Sequence, residues 1–167
     1  MGKVETLGMI VAVAGFLGAE STEPPLELEQ IATARSIVAM SRSEFENWCH
    51  ERGAISKLAF ESSDEREVAC AWVDQKTGAV WHTVLHFDPG ASAAYQADTG
   101  LLDASADTLL RLLHKEHGVS DGRSVEGLPV WKVDVAGQDA FLAVADYDEI
   151  ALVRLKLDRE GIALSMR

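Results

Sequence analysis

Apolar and polar positions along the chain change period several times, and each change marks an element. From residue 26 the apolar positions Leu28, Ile31, Ala32, Ile37 and Val38 follow helical spacing, with no Gly or Pro before Gly53. A helix is therefore predicted within residues 26–40. Ser43 and Glu46 then have the form of a capping box, and Phe45, Trp48 and Cys49 lie on one face of a second helix that Gly53 ends.

Beyond Gly53 the period shortens to two. Residues 54–60 suit a strand, and residues 67–73 and 79–87 flank the polar turn Asp74-Gln75-Lys76-Thr77-Gly78 as a hairpin. In the second arm Trp81, Thr83, Leu85 and Phe87 alternate with Val80, His82, Val84 and His86, and the first set is the better core face. After Asp88-Pro89-Gly90 a connection rich in Gly, Ala and Ser is expected to run to about Asp103. Leu109, Leu110, Leu112 and Leu113 then predict an amphipathic helix over residues 107–117, stopped by Gly118. Strands return at residues 130–135, at 140–145 and around Val153, Leu155 and Leu157. Turns expected at Gly137-Gln138-Asp139 and at Asp146-Tyr147-Asp148 imply an antiparallel meander.

These elements specify an α+β fold, an antiparallel sheet packed on one face by two or three helices. The helix-then-strands order recurs, which suggests two αβββ units over residues 43–88 and 107–157. A slide of 65 residues places Phe45 on Leu110, Trp48 on Leu113 and Gly53 on Gly118, but any amphipathic helix ending in glycine shares those types. The other face of the sheet is left for solvent or for binding.

Residues 7–19 (LGMIVAVAGFLGA) are 13 positions without a charge, followed abruptly by Glu20, Ser21, Thr22, Glu23, Pro24 and Pro25. That stretch is too short to cross roughly 30 Å of hydrocarbon but suits the apolar region of an export signal, with cleavage after Ala19. Residues 1–19 are thus expected to be a signal peptide, 20–26 a linker and 27–167 a single domain. A buried strand or short helix is the alternative for residues 9–16, since Lys3 is the only basic side chain ahead of them and Glu5 offsets it.

Composition narrows the partner more than the activity. The 167 residues are 47% hydrophobic and 25% charged, enough apolar content for a core. Fifteen Lys and Arg against 27 Asp and Glu give a net charge of -12, which disfavours nucleic acid and anionic membranes and is compatible with a basic protein partner. The charge is the same without residues 1–19, where Lys3 and Glu5 cancel.

Cys49 and Cys70 match no metal spacing, and in an exported chain a single pair is expected to form one disulfide. Two buried thiols are the alternative. His114 and His117 stand three apart on a helix but lack a third ligand at diagnostic spacing. His82 and His86 share a strand face yet are roughly 13 Å apart at about 3.3 Å per residue, too far to share one ion. His50 is expected at the surface. The acidic pairs Glu44/Glu46 and Asp146/Asp148 read as surface and turn residues, and the four Trp residues (Trp48, Trp72, Trp81 and Trp131) as core. There is no nucleophile elbow, phosphate loop or dinucleotide fingerprint. No catalytic, cofactor-binding or metal-binding residue is assigned, and no cofactor is expected. The function expected on these grounds is that of a small exported, non-catalytic binding protein of inhibitor, immunity or assembly-factor type. A cytosolic acidic chaperone-like protein, or an enzyme whose site is assembled from scattered residues around His82, His86 or His114, is the alternative.

Overall fold

A computed structural model describes residues 23–124, 127–147 and 150–159. The expected signal segment lies outside them, as does Asp148 of the last expected turn. Among the described residues three helices and eight strands follow in the order α1 (Leu26–Ile37), α2 (Arg42–Glu51), β1 (Lys57–Glu61), β2 (Arg66–Val73), β3 (Val80–Phe87), β4 (Gln96–Leu102), α3 (Ala106–His117), β5 (Gly122–Arg123), β6 (Pro129–Val135), β7 (Gln138–Tyr147) and β8 (Ile150–Leu157).

All eight strands form one antiparallel sheet in the order β1-β2-β3-β4-β8-β7-β6-β5. Each half is a meander of four strands preceded by a helix, α2 with β1 to β4 and α3 with β5 to β8. The halves meet where β4 pairs with β8. Helix α1 lies over that seam, touching β4 and β8, while α2 packs on β2 and α3 on β7. The expected α+β fold with helices on one face is therefore present, and the repeating unit has four strands rather than three.

The added strands are the two-residue β5 and, at the seam, β4. Gln96-Ala97-Asp98-Thr99-Gly100-Leu101-Leu102 has little of the β-branched and aromatic content that marks a strand, and it falls where a loop was expected. Every residue of it but Leu102 is buried. Its central place in the sheet and the cover of α1 stabilise it, which no local propensity reports. Its small helix-facing residues, Ala97 and Thr99, leave room for α1, whose buried stripe is Gln30, Ile31, Ala34 and Ile37. Leu28 and Ala32, expected on that stripe, face outward instead. Gln30 takes an inward place because its amide nitrogen donates to the carbonyls of Thr99 and Ala151, both at 2.6 Å, one on each side of the seam.

Helix α2 starts two residues earlier than expected. Ser41 is the N-cap, its hydroxyl accepting from Glu44 N while Glu44 accepts from Ser41 N. This start puts Met40 at N′ and Phe45 at N4, the two positions of a hydrophobic staple, and frees Glu46 to pair with Arg42. The strand expected at 54–60 is the exposed edge strand β1, with a bulge between Leu58 and Phe60. The turn expected at Gly137-Gln138-Asp139 is shifted too. Ala136 and Gly137, with φ of 53° and 83°, form a two-residue turn, and Gln138 and Asp139 already belong to β7. Asp146 and Tyr147 are likewise strand residues rather than turn.

The core lies between the helices and one sheet face. Trp81, Thr83, Leu85 and Phe87 all face it and are buried, as their alternation predicts. Trp48 stacks on Phe45 and meets Trp72 edge-on, and Trp72 stacks on Trp81, so three of the four tryptophans form one cluster under α2. Arg52 lies over Trp48, 3.6 Å from the ring centre. Beside this cluster Cys49 of α2 and Cys70 of β2 stand at disulfide distance, with Cα atoms 6.4 Å apart.

Candidate functional site

The helices all pack on one face of the sheet. Side-chain alternation gives the opposite face His82, Val84 and His86 from β3, Gln96, Asp98 and Gly100 from β4, and Leu152, Arg154 and Lys156 from β8. In register, Glu67 of β2, His86, Gln96 and Lys156 form one row across it, and Ala69, Val84, Asp98 and Arg154 the next.

At one end of this face, polar side chains converge on His86, which is 7% exposed. Its Nδ1 lies 2.7 Å from Glu65 Oε1 and 3.5 Å from Glu67 Oε1, and its Nε2 lies 3.2 Å from Asp98 Oδ2. Asp98, 5% exposed, accepts in turn from Arg154 Nε at 3.0 Å, from Arg154 Nη2 at 2.9 Å and from Gln96 Nε2 at 3.1 Å. The Tyr95 hydroxyl donates to Glu65 Oε1 at 2.7 Å, and Arg159 lies over the Tyr95 ring. Four chain segments build the cluster: the β1–β2 turn with β2, β3, β4 with the residue before it, and β8. A buried polar network of this kind is stable only when its members satisfy one another, as these do.

Electrostatics follow from the packing. Burial disfavours a charged His86, but its hydrogen bonds and attraction to Asp98 and then Glu65 outweigh burial and raise its pKa. Burial works against the Asp98 carboxylate, and the His86 and Arg154 contacts overcome it and lower its pKa. Glu65 is also lowered, because its bonds to Tyr95 and His86 outweigh its desolvation. Tyr95 is pushed well above the usual phenol range by burial and by Glu65.

At the other end of the face the character changes. Val73 pairs with Val80, and Leu102 with Ile150, on four adjacent strands. These side chains are 48%, 39%, 37% and 38% exposed respectively, an aliphatic row bordered by Ala71, His82 and Leu152. Gly100 keeps the row low, since a Cβ there would stand 3.0 Å from Ile150 Cγ2.

The residues considered from sequence are spread over the molecule. His114 meets the edge of Trp131, and His117 lies 3.3 Å from Arg35 Nη2, so the two histidines of α3 are engaged separately. His50 is exposed, as is His82. Glu44 caps α2 and Glu46 pairs with Arg42. All four tryptophans lie on the helix side. The cluster around His86 was not foreseen, because Asp98 comes from a segment expected to be a loop, and Arg154 from a strand whose pairing was unknown. One local signal existed: a hairpin with Val73 opposite Val80 puts Glu67 opposite His86.

No described helix is long and apolar enough to cross a membrane. No protein-family model, curated protein or solved structure matches the chain.

Proposed function

We propose that this chain is an exported, non-catalytic binding protein that docks a basic protein partner on the open face of its sheet. The observation that carries this reading is the aliphatic row Val73, Val80, Leu102 and Ile150, exposed on the face away from the helices. Exposed aliphatic side chains grouped on one surface favour contact with another macromolecule, whereas scattered ones do not. The net charge of -12 supports a basic partner, drawn in by long-range attraction that salt weakens. Export is supported by the uncharged residues 7–19 ahead of a polar run and by the cysteine pair at disulfide distance, an arrangement that persists in oxidising compartments. The alternative, an enzyme with a site assembled from scattered residues, draws its support from the convergence on His86.

The test compares wild type with Val80→Glu and Ile150→Glu in capture from the native host's extract at low and moderate salt. A basic protein that is retained at low salt, released at moderate salt and lost with either substitution supports the reading. Retention that ignores both substitutions overturns it.

A further inference from the structure

The proposed docking row leaves the polar end of the open face without a role. There Glu65, Glu67 and His86 each offer one donor atom, and all three atoms lie within 4.8 Å of one another. We propose that Glu65, Glu67 and His86 form a zinc site, with His86 binding through Nδ1 and Asp98 holding its ring.

Orientation is the first support. A zinc-bound histidine donates its other ring N–H to a carboxylate or carbonyl, which settles the tautomer and aims the ligating nitrogen. Asp98 lies 3.2 Å from Nε2 and is itself held by Arg154 and Gln96, so Nε2 keeps its proton, while Nδ1, whose proton Glu65 accepts in the metal-free chain, points toward the two glutamates and ligates once zinc displaces that proton. Glu65 is oriented likewise, by the Tyr95 hydroxyl. A scatter of surface carboxylates would have no such supporting bonds.

Spacing is the second. Ligands at about 2.0–2.2 Å in a tetrahedron stand roughly 3.3–3.6 Å from one another. Glu67 Oε1 is already 3.5 Å from His86 Nδ1. Glu65 Oε1, at 2.7 Å, has to move out by somewhat less than about 1 Å, and its side chain, 32% exposed, can rotate that far.

Charge is the third. Arg154 offsets Asp98, and among the described residues no Lys or Arg forms an ion pair with Glu65 or Glu67. Once zinc has displaced the Nδ1 proton, the two glutamates and the neutral imidazole carry two negative charges, which one divalent cation balances. An imidazole nitrogen selects zinc over calcium and magnesium, which take all-oxygen sets. Three protein ligands leave the fourth position for water or for a group of the partner.

Zinc titration of the chelator-treated full chain, by calorimetry and by ¹⁵N resonance of the histidine rings, tests this. The expected result is one equivalent bound, with the His86 signals reporting ligation at Nδ1 and the proton on Nε2. Glu67→Gln should weaken binding at least about tenfold while its melting temperature in chelator matches wild type, because among the described residues the Glu67 side chain forms just the 3.5 Å ion-pair contact with His86. Absence of binding, zinc that perturbs His114 and His117 instead, or unchanged affinity in Glu67→Gln overturns the site. None of these results depends on whether a partner docks on the aliphatic row.

Discussion

Asp98 of β4 accepts a bidentate fork from Arg154 of β8, and this fork adds a side-chain tie to the backbone ladder between the two halves of the sheet. Asp98 is buried, whereas the Arg154 side chain is 34% exposed. Arg154→Leu would leave the carboxylate with His86 and Gln96 alone. Losing one partner of a fully buried pair costs about 3–5 kcal/mol, and the partial exposure of Arg154 lowers the expectation to about 2 kcal/mol. Urea unfolding of the variant against wild type measures it.

Gln30 ties α1 to the same seam through the carbonyls of Thr99 and Ala151. Gln30→Leu keeps the volume roughly and removes both bonds, leaving two buried acceptors with one donor fewer. The expected loss is about 2–3 kcal/mol. Amide exchange adds a local check: protection in β4 and β8 should fall more than protection in β6.

Stability of the metal-free protein should depend on pH from both sides. His86 has a raised folded pKa, so its contribution is complete below about 6.5 and is lost as pH rises through the folded value. Asp98 and Glu65 have lowered pKa values, so their contributions are complete above about 4 and are lost as pH falls through the folded values. Maximum stability is expected between these limits, from about pH 4.5 to 6.5. In chelator, urea midpoints of wild type should decline on the alkaline side, and His86→Gln should remove that decline. An identical alkaline decline in the variant would refute its assignment to His86.

Cys49 of α2 and Cys70 of β2 stand at disulfide distance next to the tryptophan cluster. Closing a loop with a sequence separation of 21 is worth roughly 3 kcal/mol in the chain-entropy model. Cys49→Ala with Cys70→Ala should therefore lower unfolding stability by about that amount. Thiol labelling of unfolded, unreduced protein from the native host should find no free thiol.

Much of the fold is legible along the chain because its signals are local. The leucines of α3, the alternation of Trp81, Thr83, Leu85 and Phe87, and the Asp74 to Gly78 turn each announce an element within about a dozen residues. Ambiguity begins where two local choices are equally good. Ser41 and Ser43 both precede a glutamate by three, and the apolar pair Met40 and Phe45 agrees with the earlier start.

What only the tertiary structure decided is what depends on distant strands. Segment 96–102 is polar and glycine-containing, and it is a strand because β3, β8 and α1 surround it. His86 is an ordinary alternating position until pairing brings Glu67 opposite it, and Asp98 and Arg154 into the adjoining row. Periodicity is set by a residue's near neighbours, so the sequence by itself determined the helices, most strands and the core face. Pairing brings together groups 12 to 56 positions apart, as in His86 with Asp98 and Asp98 with Arg154, and that proximity exists only once the chain has closed its sheet.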